Sequence, residues 1–135
     1  SDRIALAVLG DGDFLMGVTA LWTAAHYRIP LLILIANNRS FYNDEVHQER
    51  VARQRGRVIE NKWIGQHITG PDIDLAAMAR AQGAVGIGPV ERPDALGAAL
   101  CDAVREVQAG QVVVVDVRVK PGYDPSTARA MLRQE

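Results

Sequence analysis

Four short runs of apolar residues divide the chain, and each ends at or near a glycine or a polar residue. The runs cover residues 4–9, 31–35, 84–88 and 112–119. The first two contain no polar side chain, which is typical of strands that are covered on both faces in a parallel sheet. The pattern therefore predicts four strands, with the first two buried on both sides.

Amphipathic segments alternate with these strands. Apolar residues recur at steps of three and four over residues 13–27, which predicts a helix whose apolar stripe, including Met16 and Trp22, packs in the core. Two further helices are expected over 72–82, capped by an aspartate, and over 95–109. The order of the elements predicts an α/β fold, a parallel sheet flanked by helices on both faces.

The segment 39–70 does not fit this alternation. It is polar, only weakly periodic and interrupted by glycines, so we predict a long loop that is functional or held by a partner. Its charged part, residues 45–57, could meet a nucleotide tail, although a solvated helix with opposite charges three or four positions apart explains it more simply. Residues 121–135 are expected to form a C-terminal tail with a candidate terminal helix.

Composition and charge exclude several classes of partner. The chain has 135 residues, 48% of them hydrophobic, which suffices for one domain with a core. The 15 basic and 16 acidic side chains leave a net charge of −1, so we expect neither nucleic acid nor a membrane surface as a partner. The longest apolar stretch, residues 29–36, is too short to span a bilayer. The single cysteine, Cys101, is expected to be buried, and a cytoplasmic location fits.

Candidate chemistry lies where the first two strands stop, at Gly10-Asp11-Gly12 and at Asn37-Asn38. A helix of about fifteen residues descends roughly 22 Å, and a strand of about six residues climbs back roughly 20 Å. Both motifs should therefore reach the same edge of the sheet. That edge is formed by the carboxyl ends of parallel strands, where open α/β sheets bind ligands.

The residue types at this edge suit a Mg²⁺ ion bound to a diphosphate. Mg²⁺ prefers oxygen ligands, and we expect the Asp11 carboxylate, the Asn38 amide oxygen and the Ser40 backbone carbonyl to supply three. The glycines on either side of Asp11 let the backbone approach the phosphates, and the free amides that follow favour an anion.

The two motifs together resemble the thiamine-diphosphate (ThDP)-dependent enzymes. GDGDFLMG, followed after a helix by PLLILIANN, is similar to the pyrophosphate-binding C-terminal domain of the acetolactate synthase and 2-oxoacid decarboxylase branch, which also has the step of 27 positions (38 − 11) between Asp11 and Asn38. The similarity spans residues 3–119. It implies metal binding by Asp11, Asn38 and Ser40. The full set of implied cofactor contacts is Gly10, Asp11, Gly12, Asp13, Asn38, Ser40 and Phe41.

The resemblance implies ThDP and Mg²⁺ as cofactors, a 2-oxo acid as substrate, and carboligation or non-oxidative decarboxylation as the reaction. Residues 1–120 would be part of the ThDP pyrophosphate and Mg²⁺ domain. The remaining domains of the enzyme, and a second subunit that supplies the activating glutamate, would be its partners in a homodimer or homotetramer. The chain alone should not turn over. Position 13 departs from the pattern, because Asp13 stands where many members have serine.

Several alternatives stay open. The domain could belong to a ThDP oxidoreductase subunit, or it could bind a diphosphate without catalysis. The catalytic residues are not identified by the sequence. His47 and His67 could act as acid–base groups or be solvated loop residues. Phe41 and Tyr42 could wall the cofactor or simply pack within the loop.

Overall fold

A computed structural model describes residues 3–122, which form one four-stranded parallel sheet. The strands are β1 (Leu6–Gly10), β2 (Leu31–Asn37), β3 (Val85–Val90) and β4 (Val112–Arg118). Their order across the sheet is β1-β2-β4-β3, and every neighbouring pair is parallel. The predicted fold class is therefore confirmed.

Helices cover both faces of the sheet. They are α1 (Asp11–Gly17), α2 (Ala20–His26), α3 (Tyr42–Gln54), α4 (Leu75–Ala81) and α5 (Pro93–Gln108). Residues of α1, α2 and α4 share one core with alternate sheet residues, whereas α5 forms the second core on the opposite face. The first core contains Phe14, Leu21, Ile33, Ile35, Leu75, Ala79, Ala84, Val112 and Val114. The second contains Leu32, Val90, Ala103, Val107, Val113 and Val115.

The first strand is less covered than its sequence predicts. β1 is an edge strand of the described sheet, and Leu6 and Val8 remain 57% and 65% exposed. They pair in register with Leu32 and Leu34, which lie on the face that α5 covers. Because α5 packs over β2, β3 and β4, that face of β1 is open, and the prediction of two buried faces is wrong for β1 within residues 3–122.

The helix predicted over 13–27 is divided into α1 and α2. Gly17, Val18 and Thr19 lie at the division, and all three are poor helix formers because of backbone freedom or β-branching. Met16 and Trp22 are 73% and 57% exposed, so their predicted place in the core is also wrong. The helices turn other apolar positions towards the sheet instead.

The polar segment after β2 contains a helix that the sequence did not clearly predict. α3 occupies residues 42–54 of the predicted loop, and its buried residue is Glu45. The segment lacks an apolar stripe because the side chain that faces inward is a carboxylate. Glu49 and Arg53 form the i,i+4 pair expected of the alternative helical interpretation.

The structure also bears on several smaller predictions. Asp74, rather than Asp72, caps α4 by accepting a hydrogen bond from the Ala77 amide at 2.7 Å. Cys101 is exposed on α5, so its predicted burial is wrong. The candidate terminal helix falls almost wholly outside the described residues. In the part of the chain that the structure describes, no helix is long and apolar enough to cross a membrane.

Candidate cofactor site

The two sequence motifs meet at the carboxyl edge of the sheet. Gly10 pairs in register with Ala36, so the residues that follow them leave adjacent strand ends. The Ser40 amide donates to Asp11 Oδ2 at 3.1 Å and to Asn38 Oδ1 at 2.9 Å. One N–H group thus joins both predicted metal-binding side chains, and the structure brings the three predicted ligand residues together.

The two consecutive asparagines have different environments. Asn37 is buried, and its Nδ2 donates to Asp116 Oδ1 at 2.8 Å. Its Oδ1 accepts from the Arg39 amide at 3.1 Å and from Arg118 Nη1 at 3.3 Å. Asn37 therefore ties β2 to β4 and to the loop, while the half-buried Asn38 is the one that lines the cleft.

Sequence reasoning missed Asp116, the partner of Asn37. Asp116 is 1% exposed, and its Oδ2 has no hydrogen-bond partner among the described residues. Burial raises the pKa of this carboxyl group, and the hydrogen bond from Asn37 partly opposes the rise. The available signal was one carboxylate in the otherwise apolar run Val112–Val117.

Burial also raises the pKa of Asp11, although backbone hydrogen bonds, including those from Gly12, Arg39 and Ser40, oppose this effect. Asp11 is 2% exposed. A carboxylate taken out of water is unfavourable unless a cation or several donors stabilise it. A bound divalent cation would therefore fit this residue, since it would supply the missing stabilisation.

The second glycine of the first motif lies in close contact with Phe41. A Cβ atom on Gly12 would lie 2.4 Å from two ring carbons of Phe41, far inside van der Waals contact. Asp13 folds back towards Gly10, whose amide donates to Asp13 Oδ2 at 3.4 Å. The Asp13 carboxylate therefore lies at the start of α1 and takes part in capping that helix.

All seven predicted cofactor contacts line one cleft of about 150 Å³. The lining is completed by three residues at the start of α3: Tyr42, Asn43 and Asp44. Of these, the sequence points to Tyr42 but not to Asn43 or Asp44. Small-molecule sites usually measure about 300–1,000 Å³. The cleft is therefore the size of a site for one end of a cofactor rather than for all of it.

The segment after α3 is attached to the loop that carries Ser40. Ser40 and His67 form an antiparallel bridge, flanked by bonds from Phe41 N to Gln66 O at 3.0 Å and from Ile68 N to Arg39 O at 2.8 Å. The segment is therefore held by the chain itself.

The three histidines have different positions. His67 Nε2 lies 3.1 Å from the Glu45 carboxylate beneath the loop. His47 is exposed and contacts Arg50 at 3.2 Å. His26 stacks on Trp22 with ring centroids 4.9 Å apart. His67 thus contacts a buried residue next to the cleft.

The groups that line the cleft limit the kind of metal that it could bind. Across residues 3–122, no group of three His, Cys, Asp or Glu side chains is placed to hold an ion. A metal in the cleft would therefore need other ligands as well, and the lining offers amide and backbone carbonyl oxygens beside the Asp11 carboxylate. Such a set suits a hard cation and not zinc or copper.

This fold and cleft define a cofactor-binding domain, and comparison with known proteins identifies its class. Residues 1–117 match the family described as thiamine pyrophosphate enzyme, C-terminal TPP binding domain. The chain belongs to this family, and the resemblance inferred from the GDG and NN motifs is confirmed.

Particular relatives include three bacterial proteins. The chain is 33% identical over 125 residues to the thiamine pyrophosphate-containing protein YdaP of Bacillus subtilis, covering 92% of this chain and 19% of YdaP. It is 31% identical over 118 residues to the acetolactate synthase isozyme 3 large subunit of Escherichia coli, covering 87% of this chain and 19% of that protein. The benzoylformate decarboxylase of Pseudomonas aeruginosa is 29% identical over 96 residues, or 71% of this chain and 16% of that protein.

Comparison with solved structures points to the same class of protein. The ThDP-dependent 4-hydroxybenzoylformate decarboxylase of Rhodococcus jostii RHA1 superposes with a TM-score of 0.61 and 26% identity, covering 91% of this chain and 20% of that one. The chain thus spans about a fifth of the length of the curated relatives YdaP and acetolactate synthase.

Proposed function

We propose that this domain anchors Mg²⁺ and the diphosphate of ThDP in an enzyme that acts on 2-oxo acids, by acetolactate synthase-like carboligation or non-oxidative decarboxylation. The observation that carries the proposal is that the Ser40 amide donates hydrogen bonds to both Asp11 and Asn38. These bonds hold two oxygen ligands of the kind that Mg²⁺ prefers at the ligand-binding edge of the sheet.

The Ser40 carbonyl is the proposed third ligand, and the bridge to His67 supports this role. The hydrogen bonds on either side of that bridge join the flanking residues, so Ser40 and His67 are a non-hydrogen-bonded pair. In such a pair, a residue's own N–H and C=O point away from the partner strand. Because the Ser40 N–H is directed to Asp11 and Asn38, its carbonyl would face the same side.

The charge of the cleft makes the metal necessary in this account. Asp11, Asp13 and Asp44 contribute carboxylates, and no arginine or lysine belongs to the described lining. A diphosphate would meet net repulsion here unless a divalent cation lay between the two sets of oxygens. Asn38, an uncharged oxygen donor, avoids adding a further negative charge beside the phosphates.

When bound, the cofactor would supply a thiazolium ring that adds to the substrate carbonyl through one ring carbon and takes up the electrons released when CO₂ leaves. The residues of this chain bind and orient it. Asp11, Asn38 and Ser40 would hold the metal, and Gly12 and Asp13 would present backbone amides to the diphosphate. The ring of Phe41 is in contact with Gly12 and would limit the cleft on that side.

The remaining parts of the protein follow from the same proposal. The cleft accommodates one end of the cofactor, so other domains and a second subunit would complete the site and supply the activating glutamate, in a cytoplasmic homodimer or homotetramer. An oxidoreductase subunit that passes electrons to iron–sulfur centres would need several cysteines; this chain has one and gives that alternative no support, although a partner chain could hold the others. We favour the first two reactions because the relatives include an acetolactate synthase and a benzoylformate decarboxylase.

Calorimetric titration of the full-length protein with ThDP in the presence of Mg²⁺ tests the proposal. Asp11→Ala and Asn38→Ala should each weaken binding by about a hundredfold or more, because even residues that only orient metal ligands contribute about 10–100-fold. Asp102→Ala, which removes an exposed carboxylate on α5, is the matched control and should bind as the wild type does. Equal affinity in all four proteins would remove the proposed site.

A further inference from the structure

A buried carboxylate lies directly behind the proposed metal loop. Glu45, in the first turn of α3, is 4% exposed. Its Oε1 accepts a hydrogen bond from the Ser40 hydroxyl and lies 3.1 Å from His67 Nε2. Burying a carboxyl group is unfavourable unless polar partners satisfy it, so the Ser40 hydroxyl and the adjacent His67 ring help to explain how Glu45 is tolerated. They do not explain why the inward position of α3 carries an acid.

The polar groups of Ser40 suggest the reason. Its N–H is bonded to Asp11 and Asn38, and its hydroxyl is bonded to Glu45. With both groups fixed on different partners, the Ser40 residue has little freedom to move. Its carbonyl, the proposed third metal ligand, belongs to the next peptide unit, whose Phe41 N–H donates to Gln66 O at 3.0 Å, so contacts on both sides of the Ser40 Cα hold the carbonyl as well.

The carboxylate is itself held by the segment after α3. His67 stacks on Trp63 with ring centroids 5.5 Å apart and pairs with Ser40 through the antiparallel bridge. Lys62 forms an ion pair with Glu49, one helical turn beyond Glu45. The segment 62–67 is thus anchored to α3 at one end and to the metal loop at the other.

We propose that Glu45 is a positioning residue for the metal site. Its carboxylate holds Ser40 in the orientation that presents the Ser40 carbonyl to the metal, while His67 fixes the carboxylate from the opposite side. The inference rests on the proposed function, because there the Ser40 carbonyl binds the metal. Groups that orient metal ligands in this way typically contribute about 10–100-fold to metal affinity.

Calorimetric titration of the full-length protein with Mg²⁺ at saturating ThDP, and with ThDP at fixed Mg²⁺, tests this role. Glu45→Ala and Ser40→Ala should each raise the half-saturating Mg²⁺ concentration about tenfold or more, although Ser40→Ala keeps the ligating carbonyl. Because both substitutions remove the same contact, between the Ser40 hydroxyl and Glu45, the double variant should be little worse than either single variant. Glu45→Gln keeps the acceptor oxygen and should restore affinity to within about threefold of wild type.

Asp102→Ala is the control, since it removes an exposed carboxylate on α5 that pairs with Arg105 and lies outside the contacts that hold Glu45. It should leave Mg²⁺ affinity unchanged. Wild-type affinity in Glu45→Ala and Ser40→Ala, or an equal loss in Asp102→Ala, would overturn the inference. If Glu45→Ala does not fold, Ser40→Ala, which removes a single hydroxyl, decides alone.

The proposed metal site and the proposed positioning role of Glu45 can be tested separately. If Asp11→Ala binds Mg²⁺ and ThDP as the wild type does, the proposed function itself is wrong. If Asp11→Ala abolishes binding but the Glu45 and Ser40 variants bind normally, the metal site stands and only the positioning role is wrong. A lower melting temperature without a change in Mg²⁺ affinity would likewise reduce Glu45 to a purely structural residue.

Discussion

The Ser40 amide donates a hydrogen bond of 3.1 Å to the carboxylate of Asp11, 29 residues earlier in the chain. This contact joins the end of the first strand to the loop after the second. It also fixes the orientation of the carboxylate, which lines the cleft. Contacts within the chain thus hold the two motifs together, and preorganisation of this kind lowers the cost of binding.

Metal removal should abolish cofactor binding in the full-length protein. The described cleft lining holds three carboxylates and no basic side chain. Chelation of Mg²⁺ by EDTA should therefore weaken ThDP affinity by at least about a hundredfold, or about 2.7 kcal/mol. Equilibrium dialysis with and without EDTA measures this, and readdition of Mg²⁺ is the control. Metal-independent binding of ThDP would contradict the electrostatic argument.

The two asparagines should separate in their effects. Asn37→Ala removes buried hydrogen bonds and leaves Asp116 without its partner, so it should lower the free energy of unfolding by about 2 kcal/mol or more. Asn38→Ala should change stability little but weaken metal binding. Denaturant unfolding and calorimetry on the same preparations measure the two effects. The reverse assignment, with Asn37 controlling affinity and Asn38 stability, would show that the wrong asparagine was chosen.

A methyl group at Gly12 should disturb Phe41. Gly12→Ala places Cβ about where the Phe41 ring lies, and overpacking of this kind costs about 1–3 kcal/mol. In a Phe41→Ala background the same substitution should cost clearly less, because the obstructing ring is gone. Thermal unfolding of the four proteins in this cycle gives the coupling between the two positions. Additive effects would mean that Phe41 is not the obstruction.

Asp116 should make the protein less stable as the pH rises from acid towards neutral. Burial raises its pKa above the ordinary value of 3.8, so the folded state holds a proton that the unfolded state loses. Stability is therefore highest below pH 3.8 for this group, falls as the pH rises towards the folded pKa, and is constant above it.

Asp116→Asn should remove this component. The variant should lose less stability than the wild type between about pH 4 and neutrality, as measured by urea unfolding at a series of pH values. Asp102→Asn, the same substitution at an exposed position of α5, should keep the wild-type profile. Parallel profiles for wild type and Asp116→Asn would show that Asp116 does not titrate in this range.

The parts of the fold that follow from local pattern were predictable. The buried runs of β2 and β4 contain hardly any polar residue, and the structure places both strands inside the sheet. The meeting of Asp11 with Asn38 followed from helix and strand lengths alone. Both predictions rest on repeating geometry, which a single sequence expresses directly.

Other parts depend on tertiary contacts that no local pattern carries. The sequence predicts a long loop for the segment that contains α3, with a solvated helix as the simpler interpretation of its charged part, because the inward side chain is Glu45 and not an apolar residue. Met16 and Trp22 continue an apolar stripe, yet they are exposed in the structure. Asp116 stands within an apolar strand, and its role is visible only with Asn37 beside it.

The most direct test is a crystal structure of the full-length protein grown with Mg²⁺ and ThDP. We predict one metal ion about 2.0–2.1 Å from an Asp11 carboxylate oxygen, from Asn38 Oδ1 and from the Ser40 carbonyl oxygen, with diphosphate oxygens among its other ligands. A diphosphate bound away from the Asp11 cleft, or a metal ion that contacts neither Asp11 nor Asn38, would contradict the account.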